Sequence, residues 1–284
     1  MRQGALRWLS PAGFFRLVWT AWGPAESDSP PVVCVHGLLR TGRDFDGLAS
    51  ALASRGRRVL CPDMPGRGAS DRLPDPALYR NDVYAAACAH LLAHLGEGPV
   101  DWVGTSMGGI IGMILAAQPN TPIRRLVLND IGALVPAAAI ARIAAYARAF
   151  PTVADLDEAE AAIRRLYAPF GDLPDAVWRH LAETSFVASE SGLVPHFDPA
   201  IAQAFAGTEA KDVDLSPLWS AVRAETLILR GEHSDVLPAE VAARMAEAPH
   251  ARVVTIAGCG HAPALWDERE IALVARFLEH GHAP

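Results

Sequence analysis

The feature that most restricts this chain is the run Val32-Val33-Cys34-Val35, apolar at every position and closed by His36-Gly37. A strand with one face in water alternates apolar and polar residues. One that is apolar throughout needs cover on both faces, as a strand inside a parallel sheet has. Comparable units return at Val59-Leu60-Cys61, Val100 to Val103, Leu126-Val127-Leu128, Leu227-Ile228-Leu229 and Val253 to Ile256. Helical patterns separate them: Phe45 to Ala53, Val83 to Leu95, Ile110 to Ala117, Val241 to Ala246 and Ile271 to Leu278. Strand and helix in alternation predict an α/β chain with a doubly wound, mostly parallel sheet. Ahead of it, Leu6 to Ser10 and Phe14 to Trp22 flank a Pro-Ala-Gly turn and predict an opening hairpin.

One stretch breaks the rhythm. From Ala133 to Val213 no strand-like run occurs, only alanine-rich helical pattern at Ala137 to Phe150, Glu158 to Tyr167 and Ala176 to Thr184. Residues 133–213 therefore read as an inserted helical cap, and residues 1–132 with 214–284 as the core it interrupts. Insertions of this kind emerge above the carboxyl ends of the strands, where ligands bind.

Composition excludes several classes. A chain of 284 residues with 51% hydrophobic and 20% charged residues can bury a large core and an enclosed pocket. The net charge of -7 and the absence of a basic stripe argue against a nucleic-acid partner. Lys211 is the single lysine, which leaves no residue for a Schiff base or a Ser-Lys dyad in the sites below. Cys34, Cys61, Cys88 and Cys259 stand singly and read as buried, reduced thiols. Pro11, Gly13 and Arg16 interrupt any apolar run near the N-terminus, so neither a signal peptide nor a membrane span is expected, and a soluble cytoplasmic protein is. His90 and His94 lie four apart on a helix but lack the glutamate of H-E-x-x-H, so no metal site is expected there.

The chemistry concentrates at strand ends. Gly104-Thr105-Ser106-Met107-Gly108 follows one strand and opens a helix, a G-x-S-x-G turn that thrusts its serine out of a strained backbone. Ser106 is the expected nucleophile. A serine hydroxyl is barely ionised at neutral pH and needs a base, and His261 in Gly258-Cys259-Gly260-His261 after the last strand is the candidate. An acid must orient that histidine. Asp235, in Gly231-Glu232-His233-Ser234-Asp235, is favoured, and Asp130 just after Leu128-Asn129 is the alternative. An acyl-transfer intermediate also needs two preorganised N–H donors, for which the backbones of Met107 and Leu38 are the candidates. His36 reads as a brace for its loop. Gly66-Arg67-Gly68 reads as turn architecture, because neither the phosphate-loop nor the dinucleotide pattern is complete.

Val35-His36-Gly37, Asp63-Met64-Pro65-Gly66-Arg67-Gly68, Gly104 to Gly109, Gly231 to Pro238 and Gly260-His261 resemble the α/β-hydrolase superfamily, in the same order along the chain. The resemblance implies an eight-stranded sheet and a Ser-His-Asp triad working without a cofactor, and some members carry the acid one strand earlier than Asp235. Serine at 106 sets the chain apart from epoxide hydrolases and haloalkane dehalogenases. The Ser-Met-Gly-Gly run looks like that of carboxylesterases, enol-lactonases, perhydrolases and carbon–carbon bond hydrolases. The expected substrate is a small-molecule ester with a small to medium, apolar acyl group. A lactonase, a carbon–carbon bond hydrolase and a slow-turnover ligand receptor are the alternatives. An anionic substrate would need a guanidinium clamp, for which Arg40, beside Leu38, is the candidate; a solvated rim residue is the favoured reading of it.

Overall fold

The computed structural model describes residues 1–203 and 210–282. Eight strands form its main sheet: β1 (Arg2–Ser10), β2 (Gly13–Trp22), β3 (Val32–Val35), β4 (Val59–Asp63), β5 (Val100–Thr105), β6 (Ile123–Asn129), β11 (Glu225–Gly231) and β12 (Ala251–Ile256). Their spatial order is β1-β2-β4-β3-β5-β6-β11-β12. Only β2 runs against the others, pairing antiparallel with both β1 and β4. Every pair from β4 to β12 is parallel. The apolar runs account for the layers. Trp8, Val33 and Trp102 face one buried cluster, and Val32, Val103 and Val127 face another on the opposite side of the sheet.

Helices α1 (Asp46–Ser54), α2 (Asn81–Leu95), α3 (Met107–Ala116), α9 (Ala239–Met245) and α10 (Glu268–His280) connect and cover these strands. Between β6 and β11 the chain leaves the sheet. This insertion carries α4 (Ala137–Arg148), α5 (Leu156–Leu166), α6 (Asp175–Glu183) and α7 (Ala200–Gln203), and α8 (Ser216–Ala221) follows it on the way back to β11, packed on the main core. The insertion also holds strands absent from the sequence reading: β7 (Leu134–Val135) pairs with β10 (Val213–Asp214), and β8 (Phe186–Ser189) with β9 (Gly192–Pro195). Two-residue strands give no period, and β8 is mostly exposed, so no apolar run marks them. The insertion has its own small core, in which Ile163, Trp178 and Leu181 are buried. Residues 204–209 of the stretch assigned to it lie outside the described residues.

Polar contacts tie the insertion to the sheet-bearing part. The Tyr79 hydroxyl donates to Asp198 at 2.6 Å, and the Asp198 N–H donates to the Gly66 carbonyl at 2.8 Å. The Gly68 N–H donates to His196 Nδ1 at 3.2 Å, and the Gly260 N–H to the Pro169 carbonyl at 2.7 Å. Burial, with Arg40 and Arg67 nearby, lowers the His196 pKa to about 3, so this anchor is a neutral imidazole at any physiological pH.

Candidate active site

Ser106 sits between β5 and α3 with φ +52°, in the left-handed region that side chains avoid. Such a conformation costs about 1–3 kcal/mol and persists where its surroundings over-determine it. Here they do. The Ser106 N–H donates to the Asn129 carbonyl on the neighbouring strand at 2.9 Å. A Cβ on Gly104 would overlap the Gly108 carbonyl, and one on Gly108 the Val35 carbonyl. Both glycines of G-x-S-x-G are therefore steric requirements of this turn. The first N–H groups of a helix have no intrahelical acceptor, so α3 leaves the Met107 N–H available beside the serine.

His261 Nε2 lies 3.0 Å from Ser106 Oγ, and Nδ1 lies 2.7 Å from Asp130 Oδ2. A carboxylate only accepts, which assigns the proton to Nδ1 and leaves Nε2 to accept from the serine hydroxyl. Asp130 is fully buried and also adopts a left-handed φ of +56°. Its Oδ1 accepts from the Gly231 N–H at 2.8 Å, and its Oδ2 from the Ser234 hydroxyl at 2.6 Å. Ser234 Oγ is itself held by the N–H groups of Val236 and Leu237. Asn129 Nδ2 donates to Thr105 Oγ1 and to the Pro263 carbonyl, joining the serine strand, the aspartate strand and the histidine loop.

The structure sets Asp130, and not the favoured Asp235, against His261. Asp235 makes no hydrogen bond to His261 and pairs bidentately with Arg142 of α4, at 2.6 and 2.8 Å. Partial burial raises its carboxyl pKa, and the Arg142 hydrogen bonds and charge more than offset this, leaving it below the ordinary value. The reason for the exchange is spatial. The strand order puts β6 directly beside β5, so the turn after β6 delivers a carboxylate to the histidine. The β11 loop contributes donors, Gly231 N–H and Ser234 hydroxyl, in place of an acid. Ser234 went unrecognised because a serine in a loop is ordinary. The Ser-x-x-Leu turn it builds was its only signal.

Arg67 was missed for a similar reason. It is fully buried, and no carboxylate among the described residues lies within ion-pair distance of it. Its Nε donates to the Leu38 carbonyl at 2.9 Å, its Nη1 to the Pro65 carbonyl and the Tyr84 hydroxyl, each at 2.7 Å, and its Nη2 lies 3.8 Å from Met107 Sδ. It thereby fixes the loop that carries Leu38. His36 braces the same region: its Nδ1 lies 2.7 Å from the Gly37 carbonyl and its Nε2 accepts from the Met64 N–H at 2.9 Å. Burial pushes its pKa well below the usual histidine value, so the ring is neutral.

Arg40 also departs from expectation. It is buried, not solvated: Nε and Nη2 grip Asp44, Nη1 donates to Ser185, and the guanidinium carbon stands 4.7 Å from the Tyr167 ring centroid. The paired guanidinium links the loop after Leu38 to Ser185 and Tyr167 of the insertion.

Two cavities share Leu38, Ser106 and Ile143. One, of about 200 Å³, is walled by Met107, Ile110, Ile131 and Ile140. The other, of about 50 Å³, is walled by His261, Arg40, Arg142, Tyr146 and Tyr167. Insertion and sheet ends both contribute to each wall.

With this fold and this geometry, the chain belongs to the α/β-hydrolase fold family, whose model matches residues 30–268. It is an enzyme of the hydrolase class. It is 39% identical over 288 residues to a 3-hydroxybutyrate-oligomer hydrolase of Cupriavidus necator, covering 98% of this chain and 97% of that one. It is 31% identical over 246 residues to a 2-hydroxymuconate semialdehyde hydrolase of a Pseudomonas species, covering 81% and 79%. Among solved structures, an α/β hydrolase from Novosphingobium aromaticivorans superposes with a TM-score of 0.86 at 36% identity, over 98% of both chains. No helix among the described residues is long and apolar enough to cross a membrane.

Proposed function

We propose that the protein hydrolyses carboxylic esters with an apolar acyl half through a serine acyl-enzyme, with Ser106 as nucleophile, His261 as base and Asp130 as the orienting acid. The observation that carries the reading is the continuous chain from Ser106 Oγ through the imidazole to the buried Asp130 carboxylate, at 3.0 and 2.7 Å. Ser106 Oγ bonds to the ester carbonyl carbon as His261 Nε2 takes its proton. The carbonyl oxygen becomes an oxyanion held by the Leu38 and Met107 N–H groups. Collapse breaks the bond to the alkoxy oxygen, which leaves with the proton from His261. Water then repeats the sequence on the acyl-enzyme and releases the acid. Asp130 keeps the imidazole in the required tautomer and balances the transient imidazolium.

The apolar 200 Å³ cavity beside Met107 supports the acyl assignment, and the insertion serves as a cap because its residues wall both cavities. The similarity to a hydrolase of 3-hydroxybutyrate oligomers supports a chain of esterified hydroxy acids as the substrate class. A carbon–carbon bond hydrolase is the second reading, supported by the semialdehyde hydrolase relative. Ser106→Ala is expected to remain folded and to lose at least about 10⁵-fold in ester turnover, as removal of a triad serine does. Retention of a tenth of the activity on p-nitrophenyl butyrate would remove Ser106 from this role. Faster turnover of a ring-cleavage dienoate than of any ester would favour the second reading.

A further inference from the structure

We infer that the site takes its ester with the free carboxylate on the alcohol half, that Arg142 reads that carboxylate, and that a hydroxy-acid chain is therefore shortened from its carboxyl end. The inference rests on the serine-ester reading above. His261 must hand its proton to the departing oxygen, so the alcohol half leaves on the side that His261 lines. Of the two cavities meeting at Ser106, His261 belongs to the one that also holds Arg40 and Arg142. The acyl half then lies in the cavity beside Met107, whose lining is mostly apolar (Ile110, Ile131, Ile140) and, Asn81 apart, offers a carboxylate no side-chain partner and no cation. An unpaired charge buried there would be strongly disfavoured. The two halves of the substrate thus meet opposite chemistry.

Arg40 is engaged by Asp44 and Ser185 through all three guanidinium nitrogens and is packed against the Tyr167 ring, so it is held in place rather than free to turn toward substrate. Arg142 differs. Its pair with Asp235 is exposed on both sides, 37% and 46% by side chain, so it gains little from that partner and can turn a bidentate fork to a carboxylate. Size points the same way. The cavity beside His261 is the smaller, about 50 Å³ against 200 Å³, and suits one terminal unit, whereas the larger suits a longer acyl chain.

The experiment compares two carboxylate-bearing monoesters of one skeleton. In 3-butyryloxybutyrate the carboxylate is on the alcohol half; in mono-sec-butyl succinate it is on the acyl half. Wild type is expected to favour the first by at least tenfold in kcat/KM. Arg142→Gln should reduce that ratio at least fivefold, and Asp235→Asn, which removes the competing carboxylate, should raise it. A 3-hydroxybutyrate trimer labelled in its hydroxyl-terminal unit should first release unlabelled monomer and labelled dimer. A wild-type ratio near one, a ratio unmoved in both variants, or labelled monomer as the first product would overturn the inference. Neutral sec-butyl butyrate separates this from the reading beneath it. If Ser106→Ala abolishes its hydrolysis while the ratio is near one, only the carboxylate assignment fails. If Ser106→Ala hydrolyses it at the wild-type rate, the serine mechanism fails.

Discussion

Two aspartates stand at the ends of adjacent strands and finish in opposite surroundings. Asp130, after β6, is buried on the floor of the site and accepts from a backbone N–H, a hydroxyl and an imidazole. Asp235, after β11, is about half exposed at the rim and is held by a single arginine from the insertion. The floor is built from strand ends whose register is set by the parallel ladder, so the Asp130 carboxylate is preorganised and held by three donors. The rim is built where the insertion meets the sheet, by side chains that water can reach. A buried carboxylate with three donors can orient a histidine through many turnovers. One that shares water with its partner is better suited to exchange partners. The difference teaches that the role of a carboxylate here follows from its donors, not from its place along the chain.

The most forceful way to break this comparison is to neutralise each aspartate in turn. Asp130→Asn should lower kcat on neutral esters by about 10⁴, because an amide in its place favours the wrong histidine tautomer. Asp235→Asn should change it by less than tenfold. The reverse ranking, at equal folded fraction by circular dichroism, would move the orienting acid to the rim. A smaller effect tests the proposed oxyanion donors. Leu38→Pro removes one N–H and should cost about 10²–10³ in kcat, whereas Leu38→Ala retains that donor and should cost little. Equal rates for the two variants would place the second donor elsewhere.

The apolar wall supplied jointly by floor and insertion can be calibrated with p-nitrophenyl esters of rising acyl length. From acetyl toward hexanoyl, each methylene entering the 200 Å³ cavity should improve kcat/KM by up to about fourfold, equivalent to ~0.8 kcal/mol. A flat series would mean that the acyl half lies in solvent. The smallest effect belongs to the rim. The Asp235 carboxyl sits below its ordinary pKa in the folded protein. Its ion pair therefore contributes fully above the unfolded value of about 4, and the contribution disappears as pH falls through the folded value. Because both partners are exposed, the contribution is at most ~1 kcal/mol. Urea unfolding of wild type and Asp235→Asn should differ by that amount at pH 7, and the difference should shrink as the pH is lowered below about 4. A difference that grows on acidification would contradict the sign.

What the sequence determined by itself is whatever local sterics and solvation decide. A run apolar on both faces must be covered twice, which is why β3 and its parallel neighbours were legible from Val32-Val33-Cys34-Val35 and its counterparts. A tight turn between strand and helix excludes a Cβ at Gly104 and Gly108, so the projection of Ser106 was legible from five residues. Only the tertiary structure decided which acid meets His261. Both Asp130 and Asp235 follow a core strand and both preserve the order Ser, Asp, His, so nothing local separates them. The adjacency of β6 to β5, the left-handed turn at Asp130 and the donors gathered from the β11 loop separate them, and these are contacts between residues a hundred positions apart. The same holds for Arg40. Its neighbours in sequence made it a rim residue, whereas burial against Asp44 and Tyr167 required the insertion to fold over it, and only that folded contact can offset the cost of taking its charge out of water.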